Sequence, residues 1–166
     1  MNPIRCAVIG VGYLGRFHAQ KIQMLPEATL VAVCDVDEPT RTKAAKEFNV
    51  PAYAAPEDLF KQLDVDAVCI AATTSAHYEI AKTCLQHGVH VLIEKPITET
   101  IEEAAELIAL AKKHHAKLQV GHLERFNSAR LALEEHLEKP RFIESTRLAP
   151  FNPRGTDVNV VLDLMI

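Results

Sequence analysis

Three glycines follow the first apolar run of the chain in the order Gly-x-Gly-x-x-Gly, at positions 10, 12 and 15. Glycine permits a tight turn at the first position, close approach of a ligand at the second, and close packing of a helix on a strand at the third. The amide groups that open such a helix attract phosphate. We therefore expect a pyrophosphate cradle formed by Gly10, Gly12, Tyr13, Leu14 and Gly15. A turn that only joins strand to helix is the alternative interpretation.

An acidic residue follows at the distance that a dinucleotide site requires. Asp35 closes the second apolar run, 20 residues after Gly15, where its carboxylate can accept hydrogen bonds from both ribose hydroxyls of an adenosine. Because a carboxylate repels a 2′-phosphate, we expect NAD as the cofactor, with NADP less favoured. Arg41 is near enough in sequence to weaken that preference. A plain acidic residue in a turn is the alternative for Asp35.

Hydroxyl side chains follow the apolar run 67–72. Thr73, Thr74 and Ser75 would lie at the carboxyl edge of a parallel sheet, where α/β proteins bind their ligands. We expect these hydroxyls to contact the ribose or diphosphate of the cofactor. Thr74 or Ser75 also suits the N-cap of the next helix, and both roles can hold together. His77 is either a further ligand contact or a surface residue of that helix.

Two charged residues end the apolar run 89–93, in the sequence Glu94-Lys95-Pro96. The residue before a proline is held extended, which restricts the direction of the lysine side chain. A lysine at the rim of a cleft beside a nicotinamide suits proton transfer to or from a substrate hydroxyl. Glu94 is expected to position the nicotinamide or to tune Lys95. The alternative is a solvated ion pair at a strand end.

The elements that must position these residues follow from the alternation of short apolar runs with helical patterns. This alternation predicts an α/β fold with a doubly wound, mostly parallel sheet and helices on both faces. It weakens after about Glu124, where a helix over 128–138 and a strand over 142–148 are expected. An apolar end at residues 156–166 predicts that the chain continues into further structure.

Composition narrows the class of protein further. The chain has 166 residues, 48% of them hydrophobic, and a net charge of −4, which argues against nucleic acid as a partner. It has no apolar stretch of the length that crosses a membrane and no signal peptide pattern. The four cysteines lack zinc-ligand spacing, so no metal site is expected. A reduced cytoplasmic protein is the simplest interpretation.

Taken together, Gly10–Gly15, Asp35, Thr73–His77 and Glu94-Lys95-Pro96 resemble the Gfo/Idh/MocA oxidoreductases. The resemblance implies an NAD-binding Rossmann domain over residues 1–124, followed by the incomplete beginning of an α+β substrate and oligomerisation domain over residues 125–166. It implies homo-oligomers of the intact protein.

The same resemblance gives Lys95 a catalytic or substrate-binding role. In the family an aspartate and a histidine four residues later complete the site, and Asp163 matches the start of that pattern. The chain stops before the histidine, so we expect this fragment alone to be inactive.

Residues 120–127 narrow the resemblance to members that act on UDP-N-acetylated sugars as 3-dehydrogenases, although Ser128 stands where those members have proline. The expected substrate is thus a sugar or nucleotide sugar. His122 and Arg125 are candidate substrate contacts, a structural histidine and a surface arginine being the alternatives. Two other functions stay open, a dinucleotide-binding module without turnover and an NADP-linked reductase of another carbonyl or imine.

Overall fold

Strands and helices alternate along the chain in the order that the sequence predicts. The computed structural model describes residues 2–134, 136, 137, 139–144, 146 and 148. The strands are β1 (Ile4–Ile9), β2 (Ala28–Cys34), β3 (Ala52–Tyr53), β4 (Ala67–Ile70), β5 (His90–Ile93) and β6 (Leu118–Val120). The helices are α1 (Tyr13–Met24), α2 (Glu38–Phe48), α3 (Pro56–Gln62), α4 (Thr74–Gln86), α5 (Ile101–Lys113) and α6 (Ser128–Glu134), with a 3-10 turn at Leu123–Phe126.

The six strands form one sheet in the order β3-β2-β1-β4-β5-β6, and each neighbouring pair is parallel. The predicted doubly wound sheet is therefore confirmed, as a Rossmann fold. The chain order reverses between β1 and β4, and ligands of open α/β sheets bind outside the carboxyl ends of the strands at such a reversal.

Side chains of the strands alternate between two cores, one on each face of the sheet. Ala7 and Ile9 point into the core shared with α3, α4 and α5, whereas Val8 points into the core shared with α1 and α2. The pairing of β1 with β2 shifts by one residue, so that Val31 has no partner across the ladder. Because both faces are packed, the strands are mostly apolar, as in other parallel sheets.

The sequence predicts the start of α5 correctly but not that of α4. The sequence Thr-Ile-Glu-Glu at 100–103 predicts a capping box, and Thr100 and Glu103 form it at the start of α5. The sequence predicts that the helix after β4 begins at about Ala76, but α4 begins two residues earlier, at Thr74. Thr73 is its N-cap, without a side-chain cap hydrogen bond. The expected capping role of Thr74 or Ser75 is therefore wrong, because both residues already lie inside the helix.

The chain after α6 departs from the expected pattern in the part that the structure describes. Residues 142–144, 146 and 148 carry no strand, although a strand was expected over 142–148. A strand needs hydrogen bonds from a neighbouring strand, and no strand of the described residues pairs with this segment. The division into domains at residues 124 and 125 stays a prediction.

The cysteines behave as small apolar residues. Cys34 and Cys84 are buried and Cys6 and Cys69 are half-buried, all four as free thiols. Burial raises the pKa of Cys34 and of Cys69 to about 12, which leaves both thiols protonated at neutral pH. Among the described residues, no helix is both long and apolar enough to cross a membrane.

Candidate functional site

Four strand ends lie in a row at the carboxyl edge of the sheet. The residue after each of β1, β4, β5 and β6 donates its backbone N–H to the last carbonyl oxygen of the neighbouring strand, at 2.7–2.9 Å. These residues are Gly10, Ala71, Glu94 and Gly121. The row holds the glycine turn and the Glu94-Lys95-Pro96 segment along one edge, with β4 between them.

The outer glycines of the turn fill space that no side chain could share. Gly10 has φ +81°, and a Cβ there would lie 2.6 Å from the backbone nitrogen of Ala72. A Cβ on Gly15 would overlap the carbonyl oxygen of Gly10. Glycine at these two positions lets α1 pack on the turn and the turn pack on the end of β4, as the sequence predicts.

Gly12 differs from the other two glycines because its surroundings are open. A Cβ built on Gly12 would meet no atom within 4 Å. Gly12 is the N-cap of α1, where no side chain caps the helix and no acidic residue occupies the first turn. A helix start without a capping side chain, facing open space, fits the diphosphate of a dinucleotide.

The carboxylate of Asp35 joins the end of β2 to the glycine turn. Its Oδ2 accepts a hydrogen bond from the backbone N–H of Val11 at 2.8 Å, and its Oδ1 accepts one from Asp37 at 2.9 Å. Each carboxylate oxygen has a second lone pair for a ribose hydroxyl. Arg41 donates to the carbonyl oxygens of Asp35 and Val36, both at 3.2 Å, so its guanidinium lies beside this loop.

The apolar members of the cradle sit at the start of α1. The ring of Tyr13 is 64% exposed and meets the ring of Phe17 edge to face, with centroids 5.1 Å apart. Leu14 is half-buried. The role of both residues in binding the cofactor stays a prediction.

The polar residues at the end of the β4–α4 loop and in the first turn of α4 differ in burial. Thr73 and Ser75 are exposed, with their hydroxyl oxygens 3.5 Å apart, whereas Thr74 is buried. His77 is 1% exposed, and its ring nitrogens face the carbonyl oxygens of Pro96 and Ala72. The surface interpretation of His77 is therefore wrong, because its ring is enclosed between two loops of the site.

Glu94 is a buried carboxylate with a histidine partner on another element. Its Oε1 lies 2.7 Å from Nε2 of His18, which projects from α1 one turn after the glycine turn. Burial raises the pKa of Glu94, but the hydrogen bond and charge of His18, the backbone N–H of Lys95 and the charge of His77 together hold that pKa below its ordinary value. A Cβ on Gly121 would lie 3.1 Å from Glu94 Oε2, so β6 encloses the carboxylate from the other side.

Lys95 follows Glu94 directly and precedes a cis peptide bond to Pro96. Its side chain is half-buried. The lysine thus lies at the end of β5, next to the strand whose loop carries Thr73 and Ser75. A lysine amine at this edge of the sheet can exchange a proton with a bound hydroxyl.

The remaining predicted residues lie at or beyond the far edge of the sheet. His122 and Arg125 are both exposed, the first directly before the 3-10 turn and the second within it. If Arg125 is a surface arginine, Glu134 is one acidic residue that it could pair with, but Glu134 pairs with Arg130 at 3.2 Å. Asp163 lies outside the described residues. Within the described part of the chain, no cluster of three or more His, Cys, Asp or Glu residues could hold a metal ion.

Sequence comparison gives independent evidence. The sequence model of a family described as "Oxidoreductase family, NAD-binding Rossmann fold" matches residues 4–122. The UDP-N-acetylglucosamine 3-dehydrogenase of Acidithiobacillus ferrooxidans is 42% identical, over 100% of this chain and 52% of that protein. The myo-inositol 2-dehydrogenase of Thermotoga maritima is 31% identical, over 90% of this chain and 47% of that protein. The chain therefore spans about half the length of these relatives.

Solved structures agree with the sequence comparison. The structure of the Acidithiobacillus ferrooxidans enzyme matches with a TM-score of 0.88 at 42% identity, over 99% of this chain and 54% of that chain. A structure of GenD2 from gentamicin A biosynthesis, in complex with NAD, matches with a TM-score of 0.70 at 28% identity. That match covers 73% of this chain and 35% of the other.

Proposed function

The chain belongs to the Gfo/Idh/MocA oxidoreductase family, with its NAD-binding Rossmann fold at residues 4–122, and we propose that the intact protein oxidises a sugar hydroxyl with NAD. The observation that carries this proposal is the row of strand ends, which sets the glycine turn and Lys95 along one edge of the sheet. The open space at Gly12 supports a bound diphosphate, and the position of Lys95 just after the end of β5 supports proton transfer.

Residues on the β2 side of the sheet reversal bind the adenosine half of the cofactor. The amide groups at the start of α1 hold the diphosphate above Gly12. Asp35 accepts hydrogen bonds from the ribose hydroxyls and disfavours a 2′-phosphate, which selects NAD over NADP. Thr73 and Ser75 add hydroxyl contacts from the loop after β4. When NAD is bound, its nicotinamide supplies a hydride acceptor.

Residues on the β5 side handle the proton. Lys95 accepts the proton of the substrate hydroxyl while the carbon that bears this hydroxyl loses a hydride, for which bound NAD would be the acceptor. Glu94 orients the nicotinamide end of the site and lies next to Lys95 in the chain. Asp163, together with the histidine expected four residues later, completes the acid and base groups of the intact protein.

The substrate is proposed to be a UDP-N-acetylated sugar, oxidised at a ring hydroxyl. The support is the 42% identity to a UDP-N-acetylglucosamine 3-dehydrogenase along the whole of this chain. His122 and Arg125 are exposed directly after β6, where they can contact the part of the substrate outside the nicotinamide pocket.

The test is a coupled measurement of binding and turnover on the full-length gene product. Calorimetry gives the affinities for NAD and NADP, and NADH absorbance gives turnover with UDP-N-acetylglucosamine and with inositols. Lys95→Met is expected to lower turnover by roughly 10²- to 10⁴-fold while the NAD affinity stays the same. Lys113→Met, at an exposed lysine on α5, is the matched control.

Each result separates the proposal from its alternatives. Tight NAD binding without oxidation of any sugar would favour a dinucleotide-binding module. A clear preference for NADP would contradict the role of Asp35 and favour the reductase alternative. Full turnover by Lys95→Met would remove Lys95 from the mechanism.

A further inference from the structure

Two histidines contact the residues on either side of Lys95. His18 reaches the carboxylate of Glu94 from α1, and His77 reaches the carbonyl oxygen of Pro96 from α4. We infer that His18 and His77 are positioning residues, which together fix the direction from which Lys95 reaches the reacting hydroxyl. This inference rests on the proposed function, because it assigns how the proposed proton acceptor is held.

His77 ties the lysine segment to the end of β4. Its Nδ1 lies 2.8 Å from the carbonyl oxygen of Pro96, and its Nε2 lies 3.2 Å from that of Ala72. Both partners are carbonyl oxygens, which only accept, so a ring nitrogen that bonds to either must carry a proton, and we take the shorter contact, from Nδ1 to Pro96, as the hydrogen bond. Since the ring is 1% exposed, this donor has no access to solvent that could replace the contact.

His18 ties the same segment to the helix that carries the phosphate cradle. Its Nε2 lies 2.7 Å from Oε1 of Glu94, and both side chains are largely buried, at 20% and 10% exposure. Gly121 lies close behind the carboxylate, since a Cβ on this glycine would lie 3.1 Å from Glu94 Oε2. The contact spans 76 residues of sequence, so it couples the phosphate side of the groove to the lysine side.

Both contacts act on the immediate neighbours of Lys95, and this distinguishes positioning from packing alone. A rotation of the Glu94 or Pro96 peptide redirects the lysine side chain, and misplacement by about 1 Å can cost roughly 10²-fold in rate. Apolar side chains of similar volume could fill the same space, but they could not fix the carboxylate or the carbonyl oxygen in one direction.

The test uses the different lengths of asparagine and glutamine. An asparagine amide nitrogen takes nearly the place of histidine Nδ1, whereas a glutamine amide nitrogen takes nearly that of Nε2. His77→Asn therefore keeps a donor for Pro96 and His77→Gln does not. At position 18 the order reverses, because the contact there uses Nε2, so His18→Gln keeps the donor and His18→Asn loses it.

The readout is the orientation of Lys95 itself in the full-length gene product. Reductive methylation with ¹³C-formaldehyde labels the lysines, and the Lys95 signal is assigned by its loss in Lys95→Arg. We expect the NMR shift of this signal, and its response to NAD, to move in His77→Gln and His18→Asn. The turnover number of these two variants should fall by about 10- to 100-fold, with the NAD affinity nearly constant.

The crossed pattern decides the inference. His77→Asn and His18→Gln should lie at least several-fold closer to the wild type than their counterparts. His87, an exposed histidine whose Nδ1 lies 2.8 Å from the carbonyl oxygen of Thr83, gives Asn and Gln controls that leave Lys95 unchanged. Equal effects of Asn and Gln at each position, or no movement of the Lys95 signal, would overturn the positioning role.

Failure of the proposed function would look different. If the wild-type protein binds no NAD, the proposed function is contradicted. The histidine variants can then no longer be compared by the response of the Lys95 signal to NAD, but they can still be compared by the signal itself. The Lys95 signal without coenzyme still reports whether the two histidines fix the segment. A crossed pattern there supports the positioning role, and its absence overturns it.

Discussion

Two regions at the carboxyl edge of the sheet are built on different principles: the glycine turn, here the phosphate side, and the Glu94-Lys95-Pro96 segment, here the lysine side. On the phosphate side, shape comes from glycines whose missing side chains let backbone pack on backbone, as Gly15 packs on Gly10. On the lysine side, shape comes from side chains that reach across the fold, as His18 reaches Glu94. The first kind of construction is local in the sequence, and the second depends on contacts between distant elements.

This difference has a physical consequence for how each side responds to change. A backbone contact cannot be relieved by rotating a side chain, so an added methyl group must displace a helix or a strand. A contact with the end of a side chain can give way by a few tenths of an ångström. The phosphate side should therefore be stiff and intolerant, and the lysine side more adjustable.

The largest expected effect is that of Gly15→Ala. Its Cβ would overlap the carbonyl oxygen of Gly10, and we expect a loss of about 3 kcal/mol or more in the free energy of unfolding. Gly12→Ala is the matched control, because its Cβ meets open space, and it should cost about 1 kcal/mol at most. Urea unfolding of both variants measures the difference. Equal stabilities would contradict the close packing of α1 on the turn.

Asp35→Asn should come second. An amide has one oxygen, so it cannot accept from both Val11 and Asp37, and a lost hydrogen bond to a charged group costs about 1.5–3 kcal/mol. We expect NAD affinity to fall by roughly tenfold or more, with a smaller change for NADP. Calorimetry with both coenzymes checks this.

Asp37→Asn is its control, since Asp37 caps α2 through Thr40 and faces no proposed ligand. That variant should lower stability without changing the ratio of the two affinities. A ratio unaffected by Asp35→Asn would separate Asp35 from coenzyme selection.

A smaller effect is expected from Gly121→Ala, which repeats the first test on the lysine side. The added Cβ would lie 3.1 Å from a carboxylate oxygen of Glu94, which can shift slightly. We expect a loss of about 1 kcal/mol in the free energy of unfolding and an unchanged NAD affinity. Thermal unfolding beside Gly15→Ala gives the comparison. A loss as large as that of Gly15→Ala would mean that the lysine side is equally stiff.

The smallest effect is a pH dependence carried by Glu94. Burial raises its pKa, but His18, the backbone N–H of Lys95 and the charge of His77 together lower it by more, so the folded value lies below the ordinary 4.5. The ionised carboxylate thus stabilises the fold above pH 4.5, and this contribution is lost as the pH falls through the lower folded pKa. Glu94→Gln should make stability fall less steeply on acidification.

Urea unfolding at a series of pH values measures this slope. Glu102→Gln, at an exposed glutamate in the first turn of α5, serves as the control and should keep the steeper wild-type slope. A Glu94→Gln slope equal to that of the wild type would contradict a contribution of the His18 contact to stability.

The sequence predicts the fold well because its signals are short in range. The first apolar run predicts a strand over 4–9 and Pro56 predicts a helix over 56–62, and both bounds match the structure. The glycine turn and the Thr100 capping box also occur as the sequence predicts. The strand predicted over 142–148 is absent from the described residues of that span, because an apolar run needs a neighbouring strand, which periodicity cannot supply.

The site was predicted less completely, since its lysine side depends on pairings across the sheet. The His18 contact with Glu94 was not predicted, although His18 stands three residues after Gly15, on the face of α1 that packs on the sheet. His77 shares its helical face with Ala81, Cys84 and Leu85, a spacing that places it inside the protein. A histidine among the buried apolar residues of α4 is the sequence signal that points to the positioning role proposed for His77.

The double use of Asp35 constrains how this chain could change its coenzyme during evolution or design. The same carboxylate that would discriminate between coenzymes also anchors the backbone at Val11. Replacing it to admit a phosphorylated ribose would release the loop as well, and so a single substitution would damage the scaffold together with the selectivity. A successful change of coenzyme therefore needs a second substitution that supplies a new acceptor for the Val11 amide.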